Sequence, residues 1–269
     1  KEFPLYDLIF VTKRSLDITK AEGFQKIYEH KSFDGIINCA AYSKVDQAEL
    51  DKNKAYEINE KGIQNLVDFS EKNSLFIINF STDYVFNSNN KSSFKEEELT
   101  NPINIYAESK LAGEDILKNA ICPNITIRTS WLFSPYGNNF VNTILKLSSY
   151  KKILRVVNDQ LGRPTYGIDL ARIVLDKLSQ PNFFDFDCYH YANKGAVSWY
   201  GFAKKIIEIS NKNCFIKPCS TSEHETLAVR PKYSILDTNR IENHLSLSIP
   251  SWENALERCL NKYNLNELI

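Results

Sequence analysis

This chain of 269 residues lacks several of the signals that would assign it to a specialised class of protein. It has no excess of charge, because 33 Lys and Arg balance 33 Asp and Glu, so neither nucleic acid nor an anionic membrane surface is an expected partner. No apolar run approaches the roughly 20 residues of a membrane span. These absences leave a globular protein built as one large domain or two small ones.

Cysteine occurs six times but without the spacing of a metal site. No CxxC motif and no Cys/His cluster is found, so no metal ion is expected. Cys39 lies in an apolar, strand-like run, and we expect it to be a buried free thiol. Unpaired thiols indicate a reducing compartment, and we expect a cytoplasmic protein.

Short apolar runs alternate with helical patterns along the chain. Runs that are apolar throughout are typical of parallel strands buried on both faces. Their alternation with helices predicts an α/β fold with a Rossmann-like, doubly wound parallel sheet, and looser, proline-bearing sequence beyond about residue 140 predicts a smaller C-terminal lobe. We predict strands at 7–11, 35–40, 75–80, 124–133, 154–158 and 188–192, and helices at 19–30, 51–72, 104–117, 139–147, 167–178, 198–209 and 251–262.

Chemistry-bearing side chains follow three of the predicted strands. Ala40–Tyr42 come after the first buried run, Ser81–Tyr84 after the next, and Thr129–Trp131 after a third. Ligands of open α/β sheets bind outside the carboxyl ends of the strands. Hydroxyls, one carboxylate and one indole are therefore expected at a single edge of the sheet.

Two Tyr/Lys pairs have the four-residue spacing that places side chains on one helix face. Tyr106 and Lys110 open a predicted helix, and a phenol beside an ammonium makes a better proton donor and acceptor. A surface Tyr packed on a Lys stem would show the same spacing. Tyr200 and Lys204 follow no hydroxyl-rich strand end, so we interpret them as structural and Tyr106 and Lys110 as functional.

Thr82 with Tyr106-x-x-x-Lys110 resembles the catalytic set of the extended short-chain dehydrogenases/reductases. Seven segments, which keep the family's order across nearly the whole chain, narrow the resemblance to the dTDP-4-dehydrorhamnose reductase family. They are INCAAYSKVDQAE (37–49), FSTDYVF (80–86), YAESKLAGE (106–114), RTSWLF (128–133), GNNFV (137–141), NDQLGRPT (158–165) and RPKYSILDT (230–238).

The start of the chain departs from that family. Its members open with a strand and a glycine-rich turn that holds the pyrophosphate, and no such turn precedes residues 7–11. The chain also begins with Lys and contains no Met. We therefore expect the first strand, the turn and most of the first helix to lie in about 20 residues upstream.

The resemblance implies a division of labour along the chain. Residues 1–145 would be an N-terminally incomplete dinucleotide-binding domain, to which residues 167–195 return. Residues 146–166 and 196–269 would form the substrate-binding lobe. The implied reaction is hydride transfer from NADPH or NADH to the 4-keto group of a nucleotide-linked 4-keto-6-deoxy sugar, a step of dTDP-rhamnose biosynthesis for cell-surface polysaccharide.

The same resemblance implies a role for individual residues. Tyr106 would donate the proton, Lys110 would stabilise the phenolate and hold the nicotinamide ribose, and Thr82 would hydrogen-bond the carbonyl oxygen. The implied substrate-binding residues are Thr82, Asp83, Trp131, Arg163 and Arg230. The implied cofactor-binding residues are Asp17, Ile18, Ala40, Ala41, Tyr42, Asn59, Tyr106 and Lys110.

Two further expectations concern the cofactor and the assembly. Lys13 and Arg14 follow the first visible strand, and a basic residue there favours the 2′-phosphate of NADP over NAD. Both could also be plain surface charges. The resemblance leaves room for a homodimer.

Two alternatives of other kinds remain open. The regulatory subunit of methionine adenosyltransferase is similar to this family without being an enzyme of it, although a binding subunit need not keep Thr82, Tyr106 and Lys110. A sugar-nucleotide 4,6-dehydratase would place Asp-Glu after the Thr, whereas Asp83 and Tyr84 stand here. A 4-epimerase usually has a longer chain.

Overall fold

The computed structural model describes residues 6–88 and 92–266 and confirms the α/β fold. Within these residues the helices are Glu22–His30 (α1), Val45–Leu50 (α2), Lys52–Tyr56 (α3), Gly62–Asn73 (α4), Ile105–Lys118 (α5), Phe140–Ser148 (α6), Gly167–Lys177 (α7), Trp199–Ile209 (α8), Asn239–His244 (α9) and Trp252–Asn266 (α10). The strands are Gly35–Asn38 (β1), Phe76–Thr82 (β2), Asn124–Thr129 (β3), Leu132–Phe133 (β4), Ile153–Val157 (β5), Leu161–Gly162 (β6), Thr165–Tyr166 (β7), Cys188–Tyr191 (β8), Val197–Ser198 (β9) and Phe215–Cys219 (β10).

The main sheet contains four parallel strands in the order β1-β2-β3-β8. Successive residues of a strand point to opposite faces, and Ile77 and Ile78 in β2 are both fully buried. Ile77 belongs to a cluster with α1, α4 and α5, and Ile78 to a cluster with α7 and α9. Helices therefore cover both faces, which confirms the doubly wound arrangement.

A separate core lies outside the main sheet. Three two-stranded sheets flank it, with β5 and β10 parallel, β4 and β7 parallel, and β6 and β9 antiparallel. Aromatic rings fill its centre, where Phe202 packs edge-on against Phe133 and Trp252. Burial of such rings contributes strongly to core stability. None of the helices described for residues 6–88 and 92–266 has the length and apolarity that crossing a membrane requires.

Two predictions about the first strands are wrong. Residues 7–11 form no strand, because no described strand lies beside them to complete their hydrogen bonds, and the side chain of Phe10 is 87% exposed. Cys39 is exposed rather than buried, since β1 ends at Asn38 and the chain leaves the sheet there.

Two long predicted elements are interrupted at points that matter for the site. The strand predicted at 124–133 breaks into β3 and β4 around Trp131, whose φ of 47° lies in the left-handed region. The helix predicted at 51–72 contains a π-helical turn at Glu57–Lys61. A Cβ on Gly113 would stand 2.2 Å from the Asn59 carbonyl oxygen, so glycine lets α5 lie against that turn.

Candidate active site

The start of α5 is held from three directions. Asn104 caps the helix, because its Oδ1 accepts a hydrogen bond from the Ala107 N–H at 2.8 Å. Its Nδ2 donates to the Val229 carbonyl at 2.9 Å. The Ile105 N–H donates to Glu49 Oε1 in α2 at 2.9 Å. The first turn of α5, which carries the predicted proton donor, is therefore fixed relative to α2 and to the C-terminal segment.

Tyr106 meets Thr82 at the carboxyl end of β2. The Thr82 hydroxyl hydrogen-bonds to the phenol, which joins two residues that are 24 positions apart in the sequence. Burial raises the pKa of Tyr106 to about 12, and the hydrogen bond with Thr82 acts in the opposite direction. At neutral pH the phenol is therefore protonated and able to donate. The Tyr84 ring packs edge-on against it at 6.2 Å.

Lys110 lies one turn further along α5 and is 5% exposed. Its Nζ donates to the Phe80 carbonyl at 2.6 Å, which seats the ammonium against β2. Burial lowers the pKa of Lys110 to about 8, and the charge of Glu114 opposes this shift. The phenol thus hydrogen-bonds with Thr82, while the Lys110 ammonium is bound to a backbone carbonyl of the same strand, β2.

Asp83 is a carboxyl group inside the same edge, with 2% exposure. Thr82 Oγ1 donates to its Oδ1 at 3.3 Å, whereas its Oδ2 accepts no hydrogen bond from any described residue. Burial raises the pKa of Asp83 to about 7, and hydrogen bonds from Ser234 and Thr82 oppose that rise. The sequence alone does not reveal this burial, because Asp after a strand normally caps an exposed turn.

The residues that follow β1 are partly exposed and partly hydrogen-bonded to the rest of the protein. Ala40 and Ala41 are exposed, as a surface that a ligand approaches closely requires. The Asn59 amide accepts from the Tyr42 N–H at 2.8 Å and donates to the Tyr42 carbonyl and to Ser109 Oγ. Asn59 therefore uses both amide hydrogens within the protein and ties the β1 end to α5.

Asp17 and Ile18, which are predicted to bind the cofactor, lie in the segment before α1. Asp17 accepts hydrogen bonds from the N–H and hydroxyl of Thr19 at 3.1 and 2.9 Å, and these bonds lower the pKa of Asp17. Ile18 is buried against α4. Lys13 and Arg14 are exposed, and Lys13 lies 3.8 Å from the Asp17 carboxylate.

Trp131 stacks face to face on Trp199, with ring centroids 3.5 Å apart and planes within 7° of parallel. Trp199 in turn packs against Phe140 at 4.6 Å. The backbone of Gly162 lies so close to the Trp131 indole that an added Cβ would stand 2.5 Å from Cε2. One face of the predicted substrate-binding indole is therefore already covered. Sequence reasoning missed Trp199, which lies 68 positions downstream with no local signal linking it to Trp131.

The two arginines predicted to bind the substrate already have protein partners. Arg230 forms a two-pronged ion pair with Asp46, with contacts of 2.6 and 3.1 Å, and it hydrogen-bonds to the Tyr84 hydroxyl. Arg163 donates through Nη1 to the Leu236 carbonyl at 2.8 Å, while its buried Nε has no partner among the described residues. Arg230 thus joins α2 to the C-terminal segment, and Arg163 keeps an unused donor.

The second Tyr/Lys pair lies elsewhere in the molecule. Lys204 is positioned over the Tyr200 ring, with Nζ 5.7 Å from the centroid, on α8. This cation–π contact explains the spacing without a role in catalysis.

Comparison with known proteins identifies the family. The sequence model of a protein family, described as the RmlD substrate binding domain, matches residues 5–265. The chain belongs to the RmlD family. An RmlD-family relative, the dTDP-4-dehydrorhamnose reductase of Aggregatibacter actinomycetemcomitans, is 34% identical over 94% of this chain and 89% of its own.

Two further comparisons agree with RmlD-family membership. The spore coat polysaccharide biosynthesis protein SpsK of Bacillus subtilis is 36% identical over 96% of this chain and 89% of its own. The crystal structure of dTDP-4-dehydrorhamnose reductase from Bacillus anthracis, in complex with NADP, superposes with a TM-score of 0.91 at 40% identity, covering 96% of this chain and 90% of that one. The resemblance stated from sequence motifs is therefore confirmed, together with the Rossmann-like fold.

Proposed function

We propose that this RmlD-family chain is an NADPH-dependent oxidoreductase that reduces the 4-keto group of dTDP-4-dehydrorhamnose to give dTDP-rhamnose. The observation that carries the proposal is the contact between the Thr82 hydroxyl and the protonated Tyr106 phenol, at a sheet edge that also holds Lys110. The sequence relatives and the NADP-bound structural neighbour support the substrate and the cofactor.

The residues present fit a nicotinamide dinucleotide. Ala40 and Ala41 leave the end of β1 uncovered, and the buried Lys110 ammonium has three hydrogens, one of which the Phe80 carbonyl accepts. Lys110 would hold the nicotinamide ribose, while Asp17 and Ile18 would lie along the adenine end. The bound cofactor supplies the hydride.

The side chains of this chain handle the proton and the developing charge. A ketone that gains hydride becomes an alkoxide, so a proton must arrive as charge builds on the oxygen. Thr82 hydrogen-bonds the carbonyl oxygen, and Tyr106 transfers its phenolic proton to it. The Lys110 ammonium, one turn further along the same helix, would stabilise the negative charge of the resulting phenolate.

The substrate contacts are proposed for Asp83, Trp131, Arg163 and Arg230. The unpartnered Asp83 Oδ2 and Arg163 Nε are available for hydrogen bonds to the sugar nucleotide. Trp131 has one face covered by Trp199, so we expect it to present an edge or its remaining face. Arg230 is paired with Asp46. It would contribute to substrate binding by holding the C-terminal segment against α2, or by donating a further hydrogen bond to the substrate.

The division of the chain is also a proposal. Residues 1–145 and 167–195 would form the dinucleotide-binding domain, which the packing of α7 and β8 into the sheet's core cluster supports. Residues 146–166 and 196–269 would form the substrate-binding lobe, in line with the separate core around Phe202. We further propose that the enzyme is cytoplasmic. The homodimer stays a prediction.

The decisive experiment compares Tyr106→Phe with the matched control Tyr200→Phe. NADPH oxidation is followed with dTDP-4-dehydrorhamnose as substrate. Loss of a positioned proton donor is expected to lower kcat by about a hundredfold to ten-thousandfold, while Tyr200→Phe keeps wild-type turnover. Unchanged turnover in Tyr106→Phe would contradict the proposal. Wild-type protein that binds NADPH without turnover would favour the regulatory-subunit alternative.

A further inference from the structure

A buried ion pair, Glu114 with Arg128, lies one helical turn beyond Lys110. Glu114 follows Lys110 by four residues on α5, so both side chains share one helix face. Arg128 in β3 donates from Nη2 to Glu114 Oε2 at 2.6 Å and from Nε to both carboxylate oxygens at 3.0 and 3.2 Å. Glu114 and Arg128 are each 7% exposed, so solvent screens this pair weakly.

Arg128 is itself fixed in place by neighbours from other elements. Its Nη1 donates to the Glu96 carbonyl at 3.3 Å and lies 3.4 Å from His190 Nε2 in β8. The guanidinium also lies over the Phe86 ring, with Cζ 5.0 Å from the centroid. Burial and the charge of Arg128 lower the pKa of His190 to about 3, so this imidazole is neutral and adds no charge.

We propose that Glu114 is a positioning residue for Lys110, and that its carboxylate, held by Arg128, keeps the ammonium charged and seated on the Phe80 carbonyl. Charge on a buried Lys is disfavoured unless an anion compensates it. At the catalytic edge Tyr106 and Thr82 are neutral at neutral pH. Asp83, with a pKa of about 7, is partly ionised there, but the charge that acts on the pKa of Lys110 is that of Glu114.

The charges around the pair support this assignment. Glu114 is the group whose charge raises the pKa of Lys110 against the effect of burial. On the far side Glu114 faces Arg128 from β3, with Cys188 and His190 from β8. Beyond these, Arg240 from α9 pairs with Glu96 at 3.6 Å. The carboxylate of Glu114 thus pairs with Arg128 and also acts on Lys110, whose pKa its charge raises.

The test follows the titration of Lys110 in the free protein by NMR of ¹³Cε-labelled lysine. Replacement by Glu114→Gln removes the anion and leaves Arg128 uncompensated, so the Lys110 midpoint is expected to move to lower pH by about one unit. Glu114→Asp keeps the charge and is expected to shift the midpoint less. In the presence of NADPH and keto sugar, the basic limb of the kcat/KM profile should shift in the same direction.

The matched control is Asp169→Asn. Asp169 is also a buried carboxylate with two contacts of 2.6 Å to an arginine, Arg258, but it lies between α7 and α10. The Asp169→Asn variant should be less stable than wild type, but the pH midpoint of the Lys110 titration should not change. An unchanged midpoint in Glu114→Gln, or an equal shift in Asp169→Asn, overturns the proposal.

A double variant covers the case in which Glu114→Gln does not fold. Glu114→Gln with Arg128→Met removes both charges, which buried pairs tolerate better than loss of one partner. Its Lys110 midpoint should lie below the wild-type value, and a midpoint equal to wild type overturns the proposal. The inference rests on the proposed function only for the turnover measurement. If the keto sugar is not reduced, the NMR titration still tests the role of Glu114.

Discussion

Replacement of Asp83 by Asn should make this protein more stable at neutral and higher pH, and the gain should depend on pH. Asp83 is 2% exposed, and its Oδ2 accepts no hydrogen bond from the described residues. Burial raises its pKa from 3.8 to about 7. The folded protein therefore binds a proton at pH values at which the unfolded chain has released it, so ionisation of Asp83 opposes folding.

The size of the effect follows from the two pKa values. The folded state loses stability relative to the unfolded state as the pH rises from about 4 to about 7, by about 1.4 kcal/mol per unit. The full cost is about 4 kcal/mol, and about 3 kcal/mol of it falls between pH 5 and pH 8. The neutral Asn side chain does not titrate, so the free energy of unfolding of the Asp83→Asn variant does not include this decrease.

The measurement is urea unfolding of wild type and Asp83→Asn at about pH 5 and about pH 8. The free energy of unfolding of the variant minus that of wild type should be about 3 kcal/mol larger at pH 8 than at pH 5. Asp46→Asn is the control, because the hydrogen bond from Arg230 lowers the pKa of Asp46 and both pH values lie above its unfolded pKa. Its difference should stay constant. If the Asp83→Asn difference is also the same at both pH values, the burial argument is refuted.

Two other changes test the substrate lobe and the cofactor preference. Gly162→Ala places a Cβ 2.5 Å from Trp131 Cε2, so we expect urea unfolding to show a loss of about 1–3 kcal/mol and the KM for the nucleotide sugar to rise more than kcat falls. Wild-type stability in this variant would contradict the close packing. Titration with NADPH and NADH should show tighter NADPH binding, weakened by replacing Lys13 and Arg14 with Ala, and tighter NADH binding would reject the proposed 2′-phosphate contact.

The helix that carries Tyr106 and Lys110 was predicted well. The residues of α5 combine a capping Asn104 with a helical pattern, and the helix begins at Ile105, directly after that cap. Thr82 follows a strand and Tyr106 opens a helix, and the structure brings the two into contact although 24 positions separate them. The motif order also identified the family, because seven short segments are far more specific than one spacing.

Predictions failed where a distant partner decides the structure. Residues 7–11 have the composition of a strand, but a strand forms only when a neighbour completes its hydrogen bonds. The run 124–133 looks continuous, yet it breaks at Trp131, beside its stacking contact with Trp199. The segment 106–114 carries Tyr106 and Lys110 at helical spacing, but nothing in it connects Glu114 with Arg128, which lies on a different element.

The sequence by itself determined the α/β class, the positions of most helices and strands, the family and the Tyr106/Lys110 helix, because these depend on periodicity and on motifs of a few residues. Tertiary structure alone decided which charges are buried and what faces them. Asp46 meets Arg230 across 184 positions, and the buried Asp83 is hydrogen-bonded to Ser234 of the C-terminal segment. Solvation and pairing depend on surroundings that folding creates, and those surroundings set the pKa values on which the proposed chemistry relies.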